Sequence, residues 1–111
     1  SVLASGIYII GDSQATGQPK AGHIGNSEAK VCADAILRTL NGVALYASPK
    51  TNSACYSPVS TTEASWLSGV FKYDADTQSM VLSNMEAGAP TTGNYSQMFS
   101  WSGNLFSDTF S

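Results

Sequence analysis

Six side chains in this sequence carry recognisable chemistry: Asp12, Lys20, His23, Cys32, Cys55 and Trp101. Asp12 follows an apolar run, Ile7-Tyr8-Ile9-Ile10, and a glycine, Gly11. A carboxylate there forms a turn, or it accepts charge-assisted hydrogen bonds from a ligand at fixed geometry. Lys20 is either a solvated lysine or a cation beside the start of the helix that follows. The backbone N–H groups around Ala21 and Gly22 are the better anion-facing donors at that place. His23 is the only histidine and has no second ligand, so no metal site is expected. Cys55 sits in Asn52-Ser53-Ala54-Cys55-Tyr56-Ser57-Pro58, a breaker-rich segment without clear periodicity. Alone, it reads as a buried free thiol. Cys32 falls on the apolar face of a helix and reads as a packing residue. Two cysteines allow one internal pairing, Cys32–Cys55; a helix that turns Cys32 inward argues against it. Trp101, in a short amphipathic helix, is a core residue or the wall of a pocket.

The elements that must position these groups follow from pattern. The run Ile7–Ile10 reads as a buried strand of parallel-sheet character, which needs neighbours on both sides. Gly11-Asp12 is a tight turn, and a polar loop closes at Gln18-Pro19-Lys20. A helix then begins at Pro19, a residue favoured at the first helical position, or later at Asn26 or Ser27, which are good caps. Its expected apolar face is Ala29, Cys32 or Ala33, Ile36 and Leu40, and Asn41-Gly42 ends it. A strand, an acidic turn and a helix N-terminus facing the strand's C-terminal edge form a ligand-binding arrangement. Residues 43–58 read as irregular. Glu63 to Tyr73 reads as a strand, Asp74 to Thr77 as a turn, and Gln78 to Leu82 as the returning strand of a hairpin. Asn84 to Gly93 reads as a loop. A short helix is expected from Asn94, with Tyr95, Met98, Phe99, Leu105 and Phe106 on one face and Trp101 off it. The class is α+β.

Composition narrows the functions. The chain has 111 residues, one domain's worth, of which 42% are hydrophobic and 12% charged. That charged share is about half the usual one. A surface so poor in charge suits an extracytoplasmic protein, or a piece covered by other protein. A net charge of −3 without any basic cluster argues against nucleic acid. No apolar run approaches the roughly 18 residues that a spanning helix needs. The Gly-x-Gly-x-x-Gly turn that grips a dinucleotide pyrophosphate is absent from the sequence.

Several motifs taken together resemble a known family. Gly11-Asp12, Pro19-Lys20-Ala21-Gly22, Asn26-Ser27-Glu28-Ala29-Lys30-Val31, Ala54-Cys55-Tyr56-Ser57, Tyr95…Phe99-Ser100-Trp101 and Asp108-Thr109-Phe110 recur at the right spacing. The chain resembles the flavoprotein subunit of flavocytochrome c sulfide dehydrogenase over nearly its whole length. It departs in the loop, where Gln18 replaces an apolar residue and His23-Ile24-Gly25 a small, polar-aromatic run. The resemblance implies a C-terminal portion of a larger periplasmic flavoprotein. Residues 1–45 would then be the last strand, turn and helix of an FAD-binding domain, and residues 46–111 a hairpin-plus-helix flavin-binding and interface domain. FAD is the implied cofactor, with Gly11, Asp12, Pro19, Lys20, Ala21, Gly22 and Trp101 around it. Cys55 would be half of a redox-active disulfide whose partner lies upstream of Ser1. The implied partners are upstream FAD- and NAD-type domains, a c-type cytochrome subunit and sulfide. Alternative readings are a non-catalytic docking module and a related FAD-dependent disulfide oxidoreductase. The isolated segment is expected to be inactive and, with strand edges unpaired, to self-associate.

Overall fold

The computed structural model describes residues 4–111. A three-residue 3-10 turn, Gly11–Ser13, precedes helix α1 (Gly22–Leu40). Three strands follow, β1 (Lys50–Pro58), β2 (Ala64–Asp74) and β3 (Ser79–Thr91), and helix α2 (Thr92–Phe110) closes the chain. The strands form one antiparallel sheet in the order β1-β2-β3. The fold is α+β.

Helix α1 starts at Gly22, between the two expected starts, with Ala21 as its N-cap. Its C-terminus follows the Asn41-Gly42 signal closely. Gly42 (φ 65°) donates to the Thr39 carbonyl at 3.2 Å, and Val43 N–H reaches the Arg38 carbonyl at 2.9 Å. This crossed pair satisfies carbonyls that the helix leaves open, and glycine takes the left-handed step without a Cβ clash. The packed face overlaps the expected one only in part. Cys32 and Ile36 are half-buried as expected, Ile24 and Glu28 are buried and Val31 and Ala35 half-buried beside them, whereas Ala29, Ala33 and Leu40 are exposed.

β2 is the strand predicted from its Trp, Val, Phe and Tyr content, displaced by one residue. The other strands require corrections. β1 lies where an irregular segment was expected, and β3 runs on through the expected loop to Thr91. Pro90 and Gly88 are tolerated because β3 is an edge strand. A Cβ on Gly88 would stand 2.1 Å from Trp66 Nε1, so the indole of the cross-strand neighbour takes that place. A register shift between Val70 and Phe71 accommodates one extra β3 residue. The strand expected at Ile7–Ile10 does not form. Among the described residues they pair with no strand, and Ile7 is 55% exposed.

The buried apolar residues are few: Ile24 on α1, and Ala64 and Phe71 on β2. The radius of gyration is 16.1 Å, against about 13 Å for a compact chain near this length. A single sheet with a helix along one edge and another across it encloses little. Large apolar side chains therefore stay in solvent, among them Leu67, Leu82 and Met85 on the sheet and Phe99, Phe106 and Phe110 on α2.

Candidate functional site

The loop before α1 is held by a buried carboxylate. Glu28 Oε2 accepts the Gly11 N–H at 2.6 Å, and Glu28 Oε1 accepts Gln18 Nε2 at 3.1 Å. Gln18 also takes the Thr51 hydroxyl and donates to Thr16 Oγ1 at 2.8 Å. The Thr16 N–H and hydroxyl both reach Gln14 Oε1. Gln14, Gln18, Glu28 and Thr51 are all buried. This chain of contacts supplies the pairing that buried polar groups demand and joins the loop, α1 and β1. Beside it lies a cavity of about 200 Å³ lined by Ile9, Ile10, Glu28, Val31, Cys32 and Thr51.

The second joint is the seam between α1 and β1. An edge strand presents unpaired N–H groups at every other residue. The Ala54 N–H donates to His23 Nδ1 at 2.8 Å, and the Asn52 N–H to Ser27 Oγ at 3.1 Å. The match is geometric. Four residues of helix rise about 6 Å and two residues of strand about 6.8 Å, so side chains at i and i+4 meet alternate amides. Burial lowers the His23 pKa, and the charge of Lys30 lowers it further, which favours the neutral ring that an acceptor nitrogen requires.

α2 packs against the same seam. Trp101 meets His23 edge-on at 5.5 Å between centroids and Tyr56 at 5.4 Å. Lower down, Asn26 Nδ2 donates to Asp108 Oδ2 at 3.1 Å and Thr109 Oγ1 at 3.0 Å. Lys30 Nζ is 2.8 Å from Asp108 Oδ2. Hydrogen bonds from Lys30 and Asn26, with the Lys30 charge, hold the Asp108 carboxyl below its ordinary range.

The expected site residues fall into groups. Pro19 and Cys55 line one cavity of about 170 Å³ with Ser53, Leu67, Phe71 and Met85. Trp101 packs on Tyr56, and strand alternation turns Cys55 to the opposite face of β1. The two side chains are therefore not brought together. The expected face of α2 is also corrected: Tyr95, Met98, Trp101 and Leu105 are half-buried, while Phe99 (58%) and Phe106 (59%) are exposed. Asp12 and Lys20 are exposed, and Ala21 and Gly22 form the α1 N-terminus. Cys32 and Cys55 are free thiols; Cys55 is exposed rather than buried, and Cys32 is half-buried.

Two residues at the centre of these joints, His23 and Glu28, were not among the expected site residues. A sequence signal existed for each. His23 and Ser27 are polar groups four apart on one helical face, and Glu28 lies on the Ile24–Val31–Cys32–Ala35 face.

The donor set can be tested against FAD. No side chain caps α1 among the described residues, and its first turn contains no acidic group. Its free N–H groups suit an electron-rich ring edge, and the exposed Asp12 carboxylate suits hydroxyl donors. Both fit the flavin and ribityl end. Gly11 N–H is already taken by Glu28, and the sequence lacks the Gly-x-Gly-x-x-Gly turn, so the described residues of this loop offer the diphosphate no such cradle.

Among the described residues, no group of three or more His, Cys, Asp or Glu is placed to hold a metal ion. None of their helices is long and apolar enough to cross a membrane. No protein-family model matches the chain, and no curated protein matches it.

Proposed function

We propose that this chain is the flavin-contacting, C-terminal portion of a periplasmic FAD-dependent sulfide dehydrogenase flavoprotein that delivers electrons to a c-type cytochrome. The observation that carries the reading is the 2.8 Å bond from Ala54 N–H to His23 Nδ1. It joins the first turn of α1, with its open N–H groups, to the residue before Cys55. Pro19 and Cys55, which share a cavity, add to it.

In this reading Asp12 accepts ribityl hydroxyls, and the amides at Ala21 and Gly22 face the flavin ring. Pro19 and Lys20 flank that edge, and Trp101 shapes the approach. Bound FAD supplies the two-electron acceptor. Cys55 is paired with a cysteine upstream of Ser1. Hydrosulfide attacks one sulfur of that disulfide, the S–S bond breaks, and the other sulfur leaves as a thiolate whose rate of departure follows its pKa and exposure. Cys55 is exposed, as such exchange requires. The pyrophosphate-binding turn, and the NAD-type domain, belong to upstream sequence.

A second reading is a non-catalytic docking module. The exposed Leu67, Leu82 and Met85 on the sheet and Phe99, Phe106 and Phe110 on α2 favour it. The two readings separate on one experiment. The flavoprotein carrying this segment should copurify with FAD and lose its visible flavin absorbance when sulfide is added without oxygen. A protein that carries no flavin would leave only the docking module, and one whose flavin ignores sulfide would leave the related disulfide oxidoreductase with another electron donor.

A further inference from the structure

The α1–β1 seam has one titratable member. His23 Nδ1 accepts the Ala54 N–H at 2.8 Å, so the ring is neutral with its proton on Nε2. An imidazolium has two N–H donors and no acceptor, so protonation sets a donor against a donor. The neighbouring bond, Asn52 N–H to Ser27 Oγ, does not titrate. Only the Ala54 end of the seam is therefore sensitive to acid. Cys55 is the next residue, and Trp101 packs on both His23 and Tyr56.

We propose that His23 is the positioning residue for Cys55: its neutral ring latches the Ala54 amide, and a proton on Nδ1 releases that stretch of β1. The functional meaning of this latch rests on the reading of Cys55 as the redox thiol; the latch itself does not. The titratable groups on the elements around the imidazole are Lys50, Cys55 and Tyr56 on β1, Tyr95 and Asp108 on α2, and Glu28, Lys30, Cys32, Asp34 and Arg38 on its own helix; Asp34 is paired with Arg38. Glu28 is engaged with Gly11 and Gln18, and Asp108 with Lys30 and Asn26. Among the described residues of these elements, no carboxylate is thus left to favour the imidazolium. A folded-state pKa below the ordinary one means that the unfolded chain binds the proton more readily. The latch is complete above about pH 6.5 and is lost as pH falls from there through the folded-state value.

The test is amide hydrogen exchange by NMR on the 111-residue chain, corrected for intrinsic exchange at each pH. Ala54 protection should fall about tenfold, the scale of one lost hydrogen bond, as pH drops from neutral through the folded-state value of His23, which lies below the ordinary one. Asn52 serves as the internal reference and should not change. His23→Gln keeps an acceptor that does not titrate and should leave Ala54 protected across the range. His23→Phe removes the acceptor and should leave Ala54 unprotected throughout. Ala54 protection that tracks Asn52 in the wild type, or an acid step that persists in His23→Gln, would overturn the proposal. In the flavoprotein, sulfide-dependent flavin reduction, expressed per hydrosulfide ion at each pH, should show the same acid step, absent in His23→Gln. If the exchange data behave as stated and sulfide reduces the flavin in neither protein, the latch stands and the reading of Cys55 falls.

Discussion

Replacing Glu28 by alanine tests the polar chain that holds the loop before α1. The carboxylate accepts Gly11 N–H at 2.6 Å and Gln18 Nε2 at 3.1 Å, and it is only 7% exposed. Hydrogen bonds to a charged group contribute about 1.5–3 kcal/mol each. Gly11 is half-buried and water can reach part of its amide, so its share lies at the lower end. Gln18, 8% exposed, is left with an unpaired amide proton. Together the loss comes to about 3 kcal/mol, which at this chain length lowers Tm by about 12 °C. Glu28→Gln keeps one acceptor but presents an NH2 group to the other donor, and should cost about half as much. Urea unfolding followed by far-UV circular dichroism gives both values. A Glu28→Ala loss below about 1 kcal/mol would show that water replaces the carboxylate and that the loop is held by other contacts.

Two further outcomes follow from single contacts. Gly88→Ala drives a methyl group into the Trp66 indole, 2.1 Å away; unfolding should show a loss of about 1–3 kcal/mol with shifted tryptophan emission, and unchanged stability would mean that the indole does not lie across the glycine. The Asp108 carboxyl titrates below its ordinary range because of Lys30 and Asn26, so its contribution to stability is present above the unfolded-state pKa and lost as pH falls through the folded value. In Lys30→Ala the NMR titration of Asp108 should move up toward the ordinary value, and an unmoved titration would remove Lys30 as the cause.

Much of this fold is legible in the sequence, and the exceptions have physical causes. The end of α1 is written in Asn41-Gly42, and β2 in Trp66, Val70, Phe71 and Tyr73, whose bulk suits a pleated surface. β1 offers no such pattern: Thr51-Asn52-Ser53-Ala54-Cys55-Tyr56-Ser57 is largely polar. It is a strand because β2 pairs along its whole length and His23 and Ser27 cover its outer amides. β3 extends past Ser83 because Trp66 covers Gly88 and the sheet edge admits Pro90. The Ile7–Ile10 run has strand composition but no pairing partner among the described residues. On α2 the sequence offers one apolar face with Trp101 off it, and the face that packs is the one that lets Trp101 reach Tyr56 and His23. The site follows the same rule. Asp12, Cys55 and Trp101 stand out by residue type, and Pro19, Ala21 and Gly22 through the family resemblance; His23 and Glu28 lie on helical faces that the sequence shows, but the loop and strand they bind are fixed only by contacts between segments.

The central claim is that Cys55 carries electrons from sulfide to FAD. Its most direct test is anaerobic stopped-flow reduction of the flavoprotein by sulfide, comparing the parent with Cys55→Ser and following visible flavin absorbance. The account predicts that the variant retains its FAD and that sulfide no longer bleaches it. A Cys55→Ser protein reduced by sulfide at the parent rate would contradict it.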